Sequence, residues 1–224
     1  MGRGWFFNFH PWRVSPEEAI KIQNELRKRI VLKNNSGEIK SIAGVDVGYS
    51  GKTATAVISV LSFPELELIE TVKAKKKIGF PYIPGLLTFR EGPAVLSAYR
   101  KLRHSPDLIL FDGQGMLHPR RMGIATHIGI LVDKPTIGCA KSPLYLRYKK
   151  PGEKRGCKTF IRDRNGEILG VALCTRDGVK PVFVSCGNKI DLNSAVKIVL
   201  ASTRGYRIPE PLRLAHRLSK KGKQ

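Results

Sequence analysis

Acidic residues are scarce in this sequence. Eighteen Asp and Glu stand against 40 Lys and Arg, a formal net charge of +22 over 224 residues. Such a surface repels itself and calls for a polyanionic partner, nucleic acid first and anionic membrane second. The bland alternative is a solvated basic surface with no specific partner. Against it, the excess is spread along the whole chain and not confined to one tail. Long apolar runs are also missing: nowhere do 18 apolar residues follow one another, so no helical membrane span is expected. The opening segment, MGRGWFFNFHPWR, has no extended apolar stretch before a small-residue cleavage site. A secretory signal is therefore not expected, and the cytoplasm is the expected location. Cysteines are few: Cys139, Cys157, Cys174 and Cys186 stand 12 to 18 residues apart. None forms C-x-x-C and no histidine joins them at zinc-finger spacing, so reduced structural thiols are expected.

What is present suits a single domain over 1–224 with an ordinary core, since 42% of residues are hydrophobic. Ser15-Pro16-Glu17-Glu18 is a helix start, and Ile20, Ile22, Leu26 and Ile30 recur near helical period up to an Asn-Asn-Ser-Gly turn at 34–37. Three strand-like runs follow, Ile42–Gly48, Thr53–Phe63 and Leu66–Lys75, joined by short turns into an antiparallel meander. The pattern then alternates. Helices are expected over Glu91–Leu102, Pro119–Val132, Leu192–Ser202 and from Pro211, with strands at Leu108–Phe111, Pro135–Cys139, Ile168–Cys174 and Val182–Ser185. The fold class is thus α/β, a mixed sheet flanked by helices, with a basic tail after about residue 219.

Two aspartates stand out. Asp46 sits inside the run IAGVDVG, although strands disfavour Asp and a bare buried carboxylate costs several kcal/mol. A Lys, an Arg or a metal should pair with it; the competing reading is a strand-end Asp in a turn. Asp112 ends the apolar run LILF and opens Asp112-Gly113-Gln114-Gly115. Carboxylates at the carboxyl ends of strands are where open α/β sheets place ligands, although a turn-capping Asp is the common alternative. Two such groups on neighbouring strands would repel unless a cation lay between them, and Mg²⁺ suits carboxylates plus phosphate. Glu91 is a third candidate ligand, with a first-turn helix-dipole role as its plainer explanation. His216 lies four residues after Leu212 on a helix face, either half-buried and satisfied or a proton-handling group. Lys141 follows the strand TIGCA and could reach a phosphate or neutralise the carboxylates. The rigid loop Pro81-Tyr82-Ile83-Pro84-Gly85 presents an aromatic tip suited to wedging between bases, unless it is an ordinary packed loop. Basic clusters at Arg120-Arg121, Lys149–Lys158 and Lys220–Lys223 are expected at phosphates.

Taken together these segments resemble the endonuclease V family. The resemblance runs through GVDVGY (44–49), FPYIPGLLTFREGP (80–93), DGQGMLHPRRMGIATHIG (112–129), PTIGCAKS (135–142), KPVFVSCGNKI (180–190) and GYRIPEPLRLAHRLS (205–219). It implies an RNase H-like fold. It implies metal ligation by Asp46, Glu91 and Asp112, with His216 and Lys141 as further catalytic groups. It implies that Pro81–Pro84, with Tyr82 at the tip, is the wedge. Backbone around Leu87, Gly113, His118, Gly123 and Ile124 would form the hypoxanthine pocket. The implied reaction is Mg²⁺-dependent cleavage of the second phosphodiester bond 3′ to inosine, with Mn²⁺ as a substitute, leaving 3′-hydroxyl and 5′-phosphate ends. The expected partner is inosine-containing DNA, acted on by a monomer without a membrane. An inosine-specific endoribonuclease and a non-catalytic nucleic-acid binder of the same fold are the alternatives. One departure is Gln114, where the family often has histidine; Gln donates and accepts hydrogen bonds but does not titrate.

Overall fold

The computed structural model describes residues 10–34 and 37–220. Along the chain these form α1 (Pro16–Leu26), β1 (Ser41–Ser50), β2 (Thr53–Ser62), β3 (Leu68–Lys77), α2 (Leu87–Tyr99), β4 (Leu108–Phe111) and α3 (Ile124–Val132). They continue as β5 (Thr136–Ala140), β6 (Lys158–Arg162), β7 (Ile168–Leu173), β8 (Val182–Asn188), α4 (Leu192–Ala201) and α5 (Glu210–Lys220). All eight strands belong to one sheet, in the order β3-β2-β1-β4-β5-β8-β7-β6. The expected meander is there: β1 pairs antiparallel with β2, and β2 with β3. β4 then lies parallel to β1, and β5 parallel to β4. The mixed α/β sheet flanked by helices is the one expected.

Alternation along the strands sorts the core into two layers. Ile42, Leu108 and Leu110 face one side, where α4 and α5 contribute Ala195, Val199 and Leu212. Ala43, Val45, Ile109 and Phe111 face the other, beneath Val95 and Leu96 of α2 and Ile128 of α3. The strands next to β1 are covered on both faces, which is why LILF reads as a continuous apolar run.

Register sets the chemistry. Val45 of β1 is level with Phe111 of β4, so Asp46 and Asp112 both follow the last paired rung on adjacent parallel strands. Parity then places Asp46 on the side of α5, in line with Ile42 and Gly44. A Cβ at Gly44 would lie 2.2 Å from the carbonyl carbon and oxygen of Pro211, so only glycine lets the start of α5 lie against β1.

Several boundaries differ from the sequence reading. Ser15 caps α1 as expected, accepting from the Glu18 amide at 3.2 Å while Glu18 accepts from the Ser15 amide at 2.8 Å. The helix ends at Leu26, followed by a 3₁₀ turn over Arg27–Arg29, and part of the expected terminating turn, Asn35-Ser36, lies outside the described residues. Its buried stripe is Ala19, Gln23 and Leu26, not the isoleucines; Ile20 is exposed. α2 starts at Leu87, so Pro93 and Glu91 lie within the helix and not at its first turn. α3 starts at Ile124, because Arg121 just before it takes a left-handed φ of 58°. β6 was not expected: only Ile161 of KTFIR is buried, so its apolar pattern is weak. The four cysteines are all free, as expected.

Gly44→Ala should displace α5 from β1. We expect a loss of about 3 kcal/mol, read as a lower urea midpoint with unchanged slope. A midpoint equal to that of the unsubstituted protein would show that the approach of α5 is not limiting.

Candidate active site

Asp46, in the middle of β1, and Asp112, just past the carboxyl end of β4, stand together where the pairing of the two strands ends, and α5 brings His216 over them. One ligand atom from each of Asp46, Asp112 and His216 lies within 4.8 Å of the others. The Ser219 hydroxyl is 2.5 Å from Asp46 Oδ2 and 2.9 Å from the His216 carbonyl oxygen, and its single proton serves one at a time. His216 Nδ1 is 3.3 Å from the same carboxylate oxygen. The Lys141 ammonium, at the end of β5, ion-pairs with Asp112.

Glu91 reaches the site from the opposite face. It is half-buried on α2 and accepts a hydrogen bond of 2.5 Å from the Tyr49 hydroxyl. Tyr49 lies on β1 three residues beyond Asp46, hence on the other side of the sheet. Burial pushes the Glu91 carboxyl up to about 7, and the charges of Asp46 and Asp112 push the same way; the Tyr49 hydroxyl and Arg90 only partly offset them. This is not the environment of a helix-dipole glutamate. It is a carboxyl facing two others across the end of β1.

The donor set fits a hard divalent cation. Three ligand atoms converge, a lysine ammonium already lies against one of the carboxylates, and burial together with the two aspartates pushes the third carboxyl up to about 7. Such a cation would relieve all of these at once.

The residues expected to form the base pocket also come together. A cavity of about 100 Å³ is lined by Tyr82, Ile83, Pro84, Leu87, Gly113, His118, Gly123 and Ile124. Pro81 is not among its lining residues. Gly85, Thr88, Gln114, Met122 and Leu144 line it as well, and sequence reasoning missed them. Tyr82 is 67% exposed, at the tip of its loop. A Cβ at Gly123 would lie 2.1 Å from the Gln114 carbonyl oxygen, so bare backbone is required where that wall closes. Burial, helped by Arg120, lowers His118 to about 4. It is therefore neutral, with Nε2 donating to the Gly85 carbonyl at 2.9 Å and Nδ1 accepting from the Arg120 and Met122 amides at 3.2 and 3.3 Å. Gln114, at the departing position, donates to the Ser142 carbonyl at 3.0 Å and so ties the end of β4 to the end of β5.

Not every basic cluster is available for phosphate. Arg121 pairs with Asp163 at 2.8 Å and Glu167 at 2.5 Å, and Arg120 turns inward. Lys150 and Lys154 face Glu153 and Asp177. Most of the Lys220–Lys223 cluster lies outside the described residues.

Comparison with known proteins gives the same answer. The family model for endonuclease V matches residues 24–217. The chain belongs to the endonuclease V family. Endonuclease V of Dictyoglomus turgidum is 49% identical over 217 residues, 97% of this chain and 94% of that protein. The crystal structure of the Bacillus subtilis endonuclease V superposes with a TM-score of 0.91 at 37% identity, covering 97% of this chain and 96% of that one. A Ciona intestinalis endonuclease V, solved in complex with a 24-nucleotide DNA containing an inosine followed by a ribo-adenosine, is 32% identical with a TM-score of 0.83, over 92% of this chain and 96% of that one. The fold is accordingly RNase H-like, and the chain is an endonuclease. No helix among the described residues is long and apolar enough to cross a membrane.

The raised Glu91 value has a consequence for stability. A carboxyl with a higher value folded than unfolded costs the metal-free protein stability as pH rises from about 4.5, its ordinary value, to about 7. Below that window both states are protonated, and above it the cost is constant. Glu91→Gln should remove this cost, on the order of 3 kcal/mol. Paired urea titrations of both proteins in chelator at pH 4.5 and pH 8 measure it. A stability difference that does not change with pH would mean that Glu91 is not held protonated.

Proposed function

We propose that the chain is a deoxyinosine-specific endonuclease that uses Mg²⁺, with Mn²⁺ as a substitute, to cut the second phosphodiester bond on the 3′ side of the lesion. The observation that carries this reading is adjacency. Asp112 of the acidic cluster is followed directly by Gly113, in the wall of a cavity suited to a single planar base. The DNA bound to the Ciona intestinalis relative supports inosine as the lesion. Hypoxanthine accepts a hydrogen bond at its exocyclic 6-oxygen, where adenine carries a donating amino group. Backbone groups fixed around Gly113 and Gly123 discriminate between them, because a buried group left unpaired is costly. Tyr82, exposed at the rim, fills the gap that the extruded base leaves in the stack.

In this reading Asp46 and Asp112 would hold the ion together with His216, and Glu91 would face the pair. Bound there, Mg²⁺ supplies Lewis-acid stabilisation of the phosphate being cut. The chain's own groups do the remaining work. Ser219 fixes the orientation of Asp46. His216 takes a proton from the attacking water or returns one to the departing oxygen. The Lys141 ammonium holds negative charge on the phosphate. Water adds to phosphorus opposite the 3′-oxygen and the bond from phosphorus to that oxygen breaks. The phosphate stays on the downstream nucleotide, and the 3′-oxygen gains a proton to leave a hydroxyl.

The test is an end-labelled duplex with one deoxyinosine, with and without Mg²⁺, beside undamaged DNA and the matching inosine RNA. A single Mg²⁺-dependent nick one nucleotide 3′ of the lesion base, faster in DNA than in RNA, is expected. Asp46→Ala should abolish the nick while the protein still retards the labelled duplex on a gel. A cut of equal rate in undamaged DNA, or faster cutting of RNA, would overturn the substrate assignment.

Tyr82→Ala separates the wedge from the pocket. Cleavage of inosine in duplex should fall about tenfold relative to cleavage in a single strand, where there is no stack to fill. Equal losses on both substrates would argue against the wedge.

A further inference from the structure

Gln23 is fully buried on the inner face of α1, in a stripe otherwise made of Ala19 and Leu26. A polar amide there needs partners, and it finds them all in the loops around the base cavity. Its Nε2 donates to the carbonyl of Gly85 at 3.0 Å and to that of Met122 at 3.2 Å. Its Oε1 accepts from Arg120 Nε at 2.5 Å. A guanidinium on one side and two carbonyls on the other allow only one orientation of the amide. Arg120 then closes the ring, its Nη2 donating to the same Gly85 carbonyl at 2.8 Å. With His118, three donors converge on that one oxygen.

Gly85 is the hinge of the Tyr82 loop. The Leu86 amide donates to the Ile83 carbonyl at 2.9 Å, and Gly85 has a φ of 83°, with Pro84 before it. Proline followed by a left-handed glycine, closed by that hydrogen bond, is a type II turn. Its direction fixes where Tyr82 and Ile83 point. Met122, the other residue that Gln23 holds, belongs to the opposite wall of the same cavity. One side chain thus spans the two walls that must keep their separation around a base.

We propose that Gln23 is a positioning residue for lesion recognition: with Arg120 it fixes the Gly85 hinge, and so holds the Tyr82 loop at its working distance from the Met122 wall. It touches neither the acidic cluster nor a reacting atom. This inference rests on the proposed roles of the loop and the cavity. The family match begins at residue 24, just beyond Gln23.

The experiment uses the full chain with Gln23→Met, which keeps the bulk and removes every hydrogen bond, and Gln23→Glu, which keeps acceptance from Arg120 but cannot donate to the carbonyls when ionised. Each is assayed with inosine in duplex and in single-stranded DNA, alone and combined with Tyr82→Ala. The duplex-to-single-strand ratio should fall about tenfold in both single variants. In the Tyr82→Ala background the Gln23 substitutions should lower that ratio no further, because they act through the same loop. A role in stability alone would depress both substrates together and leave the ratio at its original value, which would overturn the proposal; so would additive effects of Gln23 and Tyr82. Gln23→Glu supplies the reading if Gln23→Met does not fold. If the unsubstituted protein does not prefer inosine at all, the proposed function fails first, whereas a normal preference with an unmoved ratio sinks only the role of Gln23.

Discussion

Electrostatic repulsion between carboxylates at the end of a parallel strand pair is the constraint around which this molecule is arranged. β1 and β4 place Asp46 and Asp112 side by side because Val45 and Phe111 share a rung. Nothing in the hydrophobic core requires this. A sheet of the same stability could end in serine or asparagine at both positions, and burying like charges without a cation is unfavourable. The neighbourhood shows how that cost is met in the metal-free chain. Lys141 pairs with Asp112, Ser219 and His216 meet Asp46, and Glu91 is pushed toward its neutral form. The partners come from α5, from α2 and from the end of β5, so the acidic pair organises this part of the sheet from both faces.

That organisation explains why the elements around it tolerate so little change. α5 delivers His216 and Ser219 only because Gly44 leaves room for the backbone at Pro211. The base cavity closes on the same principle. Gly123 brings backbone within reach of backbone at Gln114, and Gly113 leaves room for the Ile124 side chain; a methyl at either would collide. In the proposed reading, reacting groups and recognition groups therefore differ in kind. The former are charged side chains held by hydrogen bonds, whereas the latter are peptide groups held by close packing. Charge suits a phosphate, and peptide groups suit the edge of a base.

Legibility in the sequence followed the same division. Asp46 and Asp112 could be picked out because aspartate is out of place in strand-like apolar runs, and β1 and β4 were read nearly to their ends. Lysine, histidine and glutamate carry a weaker signal on helices and loops; Glu91, Lys141 and His216 stood as candidates beside plainer readings, and resemblance to a family gave them their roles. Glu91 was misplaced at a helix start because Pro93 looks like a first-turn residue, whereas α2 begins at Leu87 and carries the proline inside. Gln23 was hidden by its neighbours. Ile20 and Ile22 suggest an apolar stripe that excludes it, yet Ile20 is exposed and Gln23 is fully buried. A polar residue in a buried stripe is visible only once its partners are, and those lie 62 and 99 residues away. β6 escaped because an edge strand with a single buried side chain has almost no alternation to read.

The scarcity of acid acquires a meaning at this point. Many carboxylates outside the cluster are occupied with local structure: Asp191 caps α4, Asp107 accepts from the Lys40 and Ser41 amides, and Asp163 and Glu167 hold Arg121. Negative charge that could repel a phosphate backbone is thus tied up in turns and ion pairs. Over the whole sequence Lys and Arg outnumber acids by 22, so positive charge dominates beyond the cluster. A polyanion approaching such a surface meets attraction over most of it and repulsion at one place, where the carboxylates stand. Only a bound cation converts that place into an attractive one. In the proposed reading metal occupancy would therefore act twice, on the chemistry and on whether the phosphate backbone settles at the cluster at all, so that binding and cutting share one electrostatic gate.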